Sequence, residues 1–214
     1  TYKKGVRNHW GGKSRIVHYT SENAWDWKFE GLLSLSSDDV IDGTLFQQKD
    51  GTWKMWYKDN SQSWLAESDD LYEWTWHENP VIADKPHEGP IVFEFEDFYW
   101  LVTDEWAGMG VYRSHDLENW KKQSYPILDK PSVRPEDKPS GAHGDVVVLN
   151  DKAYIFYFTH PEREFHTKAE LNEDGILPYS LRRSSIQVAK LEVDGGWLVC
   201  DREKPFDFYL PDLD

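Results

Sequence analysis

The sequence predicts an all-β fold built from repeated four-stranded antiparallel units, and three observations predict it. Aromatic residues are abundant in a chain that is otherwise polar, with 12 Trp, 11 Tyr and 10 Phe among 214 residues. These are the ring types that fill pleated, half-buried surfaces. Side chains recur at a spacing of about 46 residues, inside the range that marks repeat architectures. Helical signals are nearly absent: only the stretch from Glu162 to Asn172 could form a short helix, and its polarity reads better as an inserted loop.

The repeat is clearest in a Ser-x-Asp-Leu-x-x-Trp stretch. Ser68-Asp69-Asp70-Leu71-Tyr72-Glu73-Trp74 matches Ser114-His115-Asp116-Leu117-Glu118-Asn119-Trp120, and Ser21-Glu22-Asn23-Ala24-Trp25-Asp26-Trp27 matches more loosely. Strand-like runs rich in aromatic and β-branched residues cover 52–57, 98–103 and 153–159. Each follows a hairpin-type turn, at Asp50-Gly51, Glu96-Asp97 and Asn150-Asp151. Before each turn lies a leading strand, opening at Asp42-Gly43-Thr44, Glu88-Gly89-Pro90 and His143-Gly144-Asp145. The Ser-x-Asp-Leu-x-x-Trp strand comes third, and Pro80-Val81-Ile82 or Pro126-Ile127-Leu128 supplies a fourth.

Four antiparallel strands per unit make a propeller blade. A β-sandwich competes, but it does not require near-identical side chains at a fixed period. Residues 1–214 are therefore expected to form a single β-propeller domain. Residues 1–5 align with the end of a second strand at 56–60, so the chain is expected to be truncated at its N-terminus and to hold about three and a half blades. Asp70, Asp116, Trp74 and Trp120 recur with the unit and are read as blade-stabilising.

Composition excludes several functions. With 39 Asp+Glu against 24 Lys+Arg the net charge is -15, and no basic stripe is present to displace counterions from a phosphate backbone, which argues against nucleic acid. No run approaches the length of apolar sequence that spans a membrane. The single Cys200 can form neither an internal disulfide nor a cysteine-built zinc site. Exposed aromatic rings and an acidic surface suit a neutral ligand such as a carbohydrate, because rings stack on the apolar face of a sugar.

Leading strands of a propeller line its central channel, so residues at their starts converge. Asp42 and Glu88 each precede a glycine at the same apparent place in successive units. An acid opening an otherwise apolar inner strand is costly to ionise unless it is paired or used, and such a carboxyl suits proton donation. Pairs of acids in different environments divide acid and base roles in glycosidases. Asp104-Glu105-Trp106 and Thr159-His160-Pro161 end second strands, where loops border a cleft mouth. Trp106 is the preferred stacking platform, with Trp10 and Trp64 weaker choices, and Asp104, His143 and His160 are candidate substrate contacts. Arg134 lies in a polar loop and is kept as a candidate contact, although a solvated role suits it and Arg182-Arg183 better. His87 neighbours Glu88, but adjacent strand residues point to opposite faces, so a structural role is expected.

Glu88-Gly89-Pro90, Val40-Ile41-Asp42-Gly43, the Ser-Asp-Asp-Leu-x-x-Trp stretch and the His143 strand together resemble the five-bladed propeller glycosidases of glycoside hydrolase family 43, the arabinofuranosidase/xylosidase type, and their relatives. The resemblance implies that Glu88 is the general acid and that Asp42 tunes and orients it. It places the water-activating Asp on a strand ahead of Thr1. In a complete chain Asp145 would replace that base, or the protein would bind sugar without turnover. The resemblance further implies no required cofactor, and a His143 that helps hold a water-coordinated structural Ca²⁺ in the channel. Asp42-Gly43 in place of an Asp-Pro type of sequence, and Asp145 beside His143, depart from the pattern and leave the substrate open. The resulting expectation is an inverting hydrolase of arabinoside- or xyloside-like oligosaccharides or polysaccharide side chains. The alternatives are a non-catalytic carbohydrate-binding propeller and a glycoside phosphorylase or fructosidase relative.

Overall fold

The computed structural model describes residues 2–3, 13–163 and 178–208. Two short pairs open the chain: β1 (Tyr2–Lys3) with β2 (Ser14–Arg15), and β3 (Val17–Thr20) with β4 (Lys28–Leu32). Three four-stranded antiparallel sheets follow. The first contains β5 (Val40–Gln47), β6 (Trp53–Asp59), β7 (Gln62–Ser68) and β8 (Thr75–Trp76). The second contains β9 (Glu88–Phe95), β10 (Phe98–Asp104), β11 (Met109–Ser114) and β12 (Lys121–Lys122). The third contains β13 (Ala142–Leu149), β14 (Lys152–Thr159), β15 (Ser185–Asp194) and β16 (Trp197–Val199). Within each sheet the strands pair in chain order, as in a propeller blade. The leading strands β5, β9 and β13 are the inner ones, with β9 lying between the other two.

Strand alternation explains how the blades stack. On β10, Trp100 and Val102 pack with Ile155, Tyr157, Ala189 and Leu191 of the following blade, while Leu101 between them joins Trp56 and Leu65 of the preceding one. A period-2 strand thus offers apolar residues to a neighbour on each side, and both sides are closed in the middle blade. A third cluster, around Met55, Tyr57 and Ala66, packs toward Ile16 and Leu33.

Two expectations need correction. The Ser-x-Asp-Leu-x-x-Trp stretch is a turn and not a strand: β7 and β11 end at its serine. Ser68 Oγ accepts the N–H groups of Asp70 and Leu71, and Asp70 Oδ1 accepts those of Tyr72 (2.8 Å) and Glu73 (2.9 Å). Ser114 and Asp116 repeat the arrangement, and in the first unit Asn23 takes the place of the aspartate. Ala24, Leu71 and Leu117 all have positive φ there (56°, 69° and 64°), a conformation those local side-chain bonds stabilise.

The expected fourth strands at 80–82 and 126–128 shrink to single bridges, Ser63 to Ile82 and Met109 to Ile127. The outer strands are instead the two-residue β8 and β12. Pro80 and Pro126 cannot donate to a ladder, which breaks the edge. Of the stretch 162–172, read as an inserted polar loop, residues 164–172 lie outside the described residues. Among the described residues no helix is long and apolar enough to cross a membrane.

A long connection, 129–141, leads into β13. It is pinned by buried Asp137, which accepts hydrogen bonds from Tyr157 Oη (2.9 Å) and Arg202 Nη1 (2.9 Å) and pairs with Arg134. Arg202 also donates to the carbonyls of Lys130 and Pro139.

Candidate active site

Each inner strand opens on an irregularity. Facing β6, two residues of β5, Asp42 and Gly43, oppose one. Facing β10, Gly89 and Pro90 of β9 do the same, and facing β14 so do His143 and Gly144 of β13. These are β-bulges, which re-aim side chains at the rims of sheets. They also shift the alignment that the sequence suggested. By ladder position Asp42 corresponds to Gly89, and the two share a positive φ of 57° and 55°. Glu88 corresponds to Ile41, so the two acids occupy neighbouring positions and not the same one. Glycine at 89 is doubly required, because a Cβ there would also sit 2.8 Å from the His143 ring.

The bulges bring residues from successive blades together. Asp42 Oδ2 accepts the Gly89 N–H at 3.3 Å, and the His143 imidazole lies on Gly89. Glu88 faces Asp104 across the β9–β10 ladder. Lys58, near the end of β6, donates to Glu88 Oε2 at 3.0 Å, and its ammonium lies 5.9 Å from the centre of the Trp106 ring. Among the described residues Glu88 Oε1 accepts no protein hydrogen bond.

Burial pushes the Asp42 carboxyl above the usual carboxylate range; the charge of Glu88 adds to this, while His143, the Gly89 N–H and Lys58 oppose it. Burial does the same to Asp104, against two backbone hydrogen bonds. Those bonds come from the N–H of Trp106 (2.7 Å, to Oδ1) and the N–H of His143 (2.8 Å, to Oδ2).

The remaining expected residues fall as follows. Trp106 is 41% exposed, in a left-handed conformation (φ 60°), and borders the cluster. Asp104 is 3% exposed and spends both oxygens on backbone amides, so it arranges the loop and the next inner strand. Asp145 is exposed, follows the third bulge, and accepts the N–H of Val146 at 2.8 Å. His160 sits at the end of β14, where Nδ1 donates to the Arg183 carbonyl at 3.0 Å. Arg134 is committed to Asp137, and Arg183 pairs with Glu136 and Glu162. Trp64 packs edge-on against Trp76 at 6.3 Å, and Trp10 lies outside the described residues.

His87 is fully buried; its Nδ1–H donates to the Lys85 carbonyl and Nε2 accepts from Ser63, both at 2.7 Å. No three His, Cys, Asp or Glu side chains among the described residues are grouped to hold a metal ion, and the His143 ring packs on the Gly89 backbone. Lys58 was not anticipated. Its signal was present in the repeat, since Lys58 stands near the end of a second strand as Asp104 does, and the two hold the same ladder position.

No protein-family model matches the chain, and no curated protein matches it in sequence. Solved structures do match in fold. A thermostable family-43 glycoside hydrolase superposes with a TM-score of 0.65 at 21% identity, over 92% of this chain and 69% of its own. An α-L-arabinofuranosidase from Lactobacillus brevis gives 0.63 at 17% identity, over 94% of this chain and 69% of its own. A protein of family 130, a family of mannoside phosphorylases that contains hydrolases of β-1,2-mannosidic linkages, gives 0.59 at 14% identity, over 86% of this chain and 59% of its own. Across the first matching structures the chain spans between 39% and 69% of their length. At these identities the likeness is one of fold, and one fold hosts many chemistries.

Proposed function

We propose that this chain carries the general acid of a family-43-type glycosidase site acting on arabinoside- or xyloside-like oligosaccharides. The observation that carries the reading is Glu88, which stands between two carboxyls of raised proton affinity, Asp42 and Asp104, with Oε1 open and Oε2 held by Lys58. In the proposed reaction the Glu88 proton passes to the glycosidic oxygen as the bond to the anomeric carbon breaks. Water adds to the opposite face of that carbon and gives its proton to a base, which inverts the configuration without a covalent intermediate. Asp42, hydrogen-bonded to the residue after Glu88, acts on the acid through charge and not by touching the scissile bond. Trp106 offers a face on which a sugar ring stacks, and Asp145 is the candidate base on this chain. The similarity in fold to an arabinofuranosidase and to other family-43 proteins supports the substrate class.

The test is Glu88→Gln assayed on two kinds of substrate. Turnover of unactivated glycosides should fall by about two to four powers of ten, the range for losing a general acid. Aryl glycosides with good leaving groups need little protonation and should lose far less. Equal loss on both kinds, or none, would remove Glu88 from the role; sugar binding without any turnover by the parent protein would favour a binding propeller.

A further inference from the structure

We propose that Lys58 is a positioning residue for proton donation, fixing one oxygen of Glu88 so that the other faces the ligand. The inference rests on Glu88 being the acid. Lys58 occupies the β6 position paired with Ile41 on β5 and Ser63 on β7, which sends its side chain across to the neighbouring blade. The ammonium sits 3.0 Å from Glu88 Oε2 with the lysine side chain 19% exposed, and the centre of the Trp106 ring lies 5.9 Å from it. The other titratable groups gathered here are Asp42 from β5, Asp104 from β10 and His143 from β13.

The consequence is chemical. With Oε2 accepting from Lys58, the transferable proton belongs on Oε1, the oxygen without a partner among the described residues. As that proton leaves, negative charge develops on the carboxyl, and a charge-assisted bond to an ammonium strengthens as it does. The interaction is therefore stronger in the transition state than before it, and such interactions raise turnover rather than binding.

Lys58→Met should lower kcat on unactivated glycosides by about tenfold to a hundredfold, at or below the lower end of the span ascribed to a general acid, and leave KM within about twofold. The loss should shrink on aryl glycosides with good leaving groups, and Lys58→Arg should restore most of it. A raised KM with kcat unchanged would make Lys58 a substrate contact and overturn the proposal, as would equal loss on both substrate kinds with a lowered melting temperature. The Glu88→Gln comparison separates the two ideas: if Glu88→Gln behaves as an acid knockout and Lys58→Met does not follow it, only the lysine role fails. A second measurement is independent of turnover. The side-chain carboxyl ¹³C resonance of Glu88 should move in Lys58→Met and return in Lys58→Arg; an unmoved resonance overturns the anchor.

Discussion

Asp104 and Asp116 sit at opposite ends of the same blade and do the same local job with opposite electrostatics. Each accepts two backbone N–H groups, Asp104 from Trp106 and His143, Asp116 from Glu118 and Asn119. At Asp116, fully in solvent, those bonds hold the carboxyl well below its usual range. At Asp104, 3% exposed, burial overrides the same kind of bonds and pushes it up. Hydrogen bonding favours the charged form and desolvation opposes it, and the end of the blade decides which wins. The acids that recur with the repeat stabilise turns in water, whereas those at the bulged ends share a partly buried site.

The largest expected effect that separates the two ends concerns glycines with positive φ. Gly89→Ala should destabilise the fold by roughly 3 kcal/mol, combining left-handed strain with a clash against the His143 ring. Gly51→Ala at the opposite end, with φ 97° but open space around its Cβ, should cost only about 1 kcal/mol of strain. Urea unfolding of both variants checks the ratio, and equal losses would break the distinction.

Next comes Asp104→Ala, which strips two amides of their acceptor in a nearly dry environment and should cost roughly 2 kcal/mol in the same urea titration. It should also shift the fluorescence of Trp106, identified by its absence in Trp106→Phe. Asp116→Ala should lower stability less, because water replaces the lost acceptor, and should leave activity intact.

The smallest effect is also the sharpest, since one type of substitution should change sign between the ends. Ionising Asp42 opposes folding above its raised pKa, so Asp42→Asn should increase the melting temperature near neutral pH, a gain that vanishes below about pH 4, where aspartates are protonated in either state. Asn tolerates the left-handed backbone at that position. Asp116 has a lowered pKa, so its contribution is complete above the ordinary carboxylate range and is lost as pH falls through the folded value. Asp116→Asn should therefore melt lower at neutral pH, and the difference should close in strong acid. Melting curves across pH test both signs.

The blade repeat was legible because hairpin turns, aromatic strands and the Ser-x-Asp turn are short-range patterns fixed by local chemistry. The convergence of Asp42, Glu88 and His143 was legible once the inner strands were known. The one-residue offset between Asp42 and Glu88 was not, because a bulge is a relation between two strands and leaves no mark but a glycine that matches the neighbouring unit. Asp104 and Trp106 were found by their place at a strand end, yet the use of both Asp104 oxygens depends on the His143 amide 39 residues away. Arg134 read as a solvated or ligand-facing cation for the same reason: its partner Asp137 is buried only when Tyr157 and Arg202 close over it.

That closure carries a consequence for how the chain acquires its shape. Asp137 has one cation close in sequence, Arg134, and a second, the buried Arg202, 65 positions away, and a buried carboxylate short of a partner is unfavourable. During vectorial synthesis the 129–141 connection emerges well before the arginine that completes its anchor, which lies just past β16. Contacts of such long sequence separation slow folding, which makes Arg202 a late contributor to the seating of that connection.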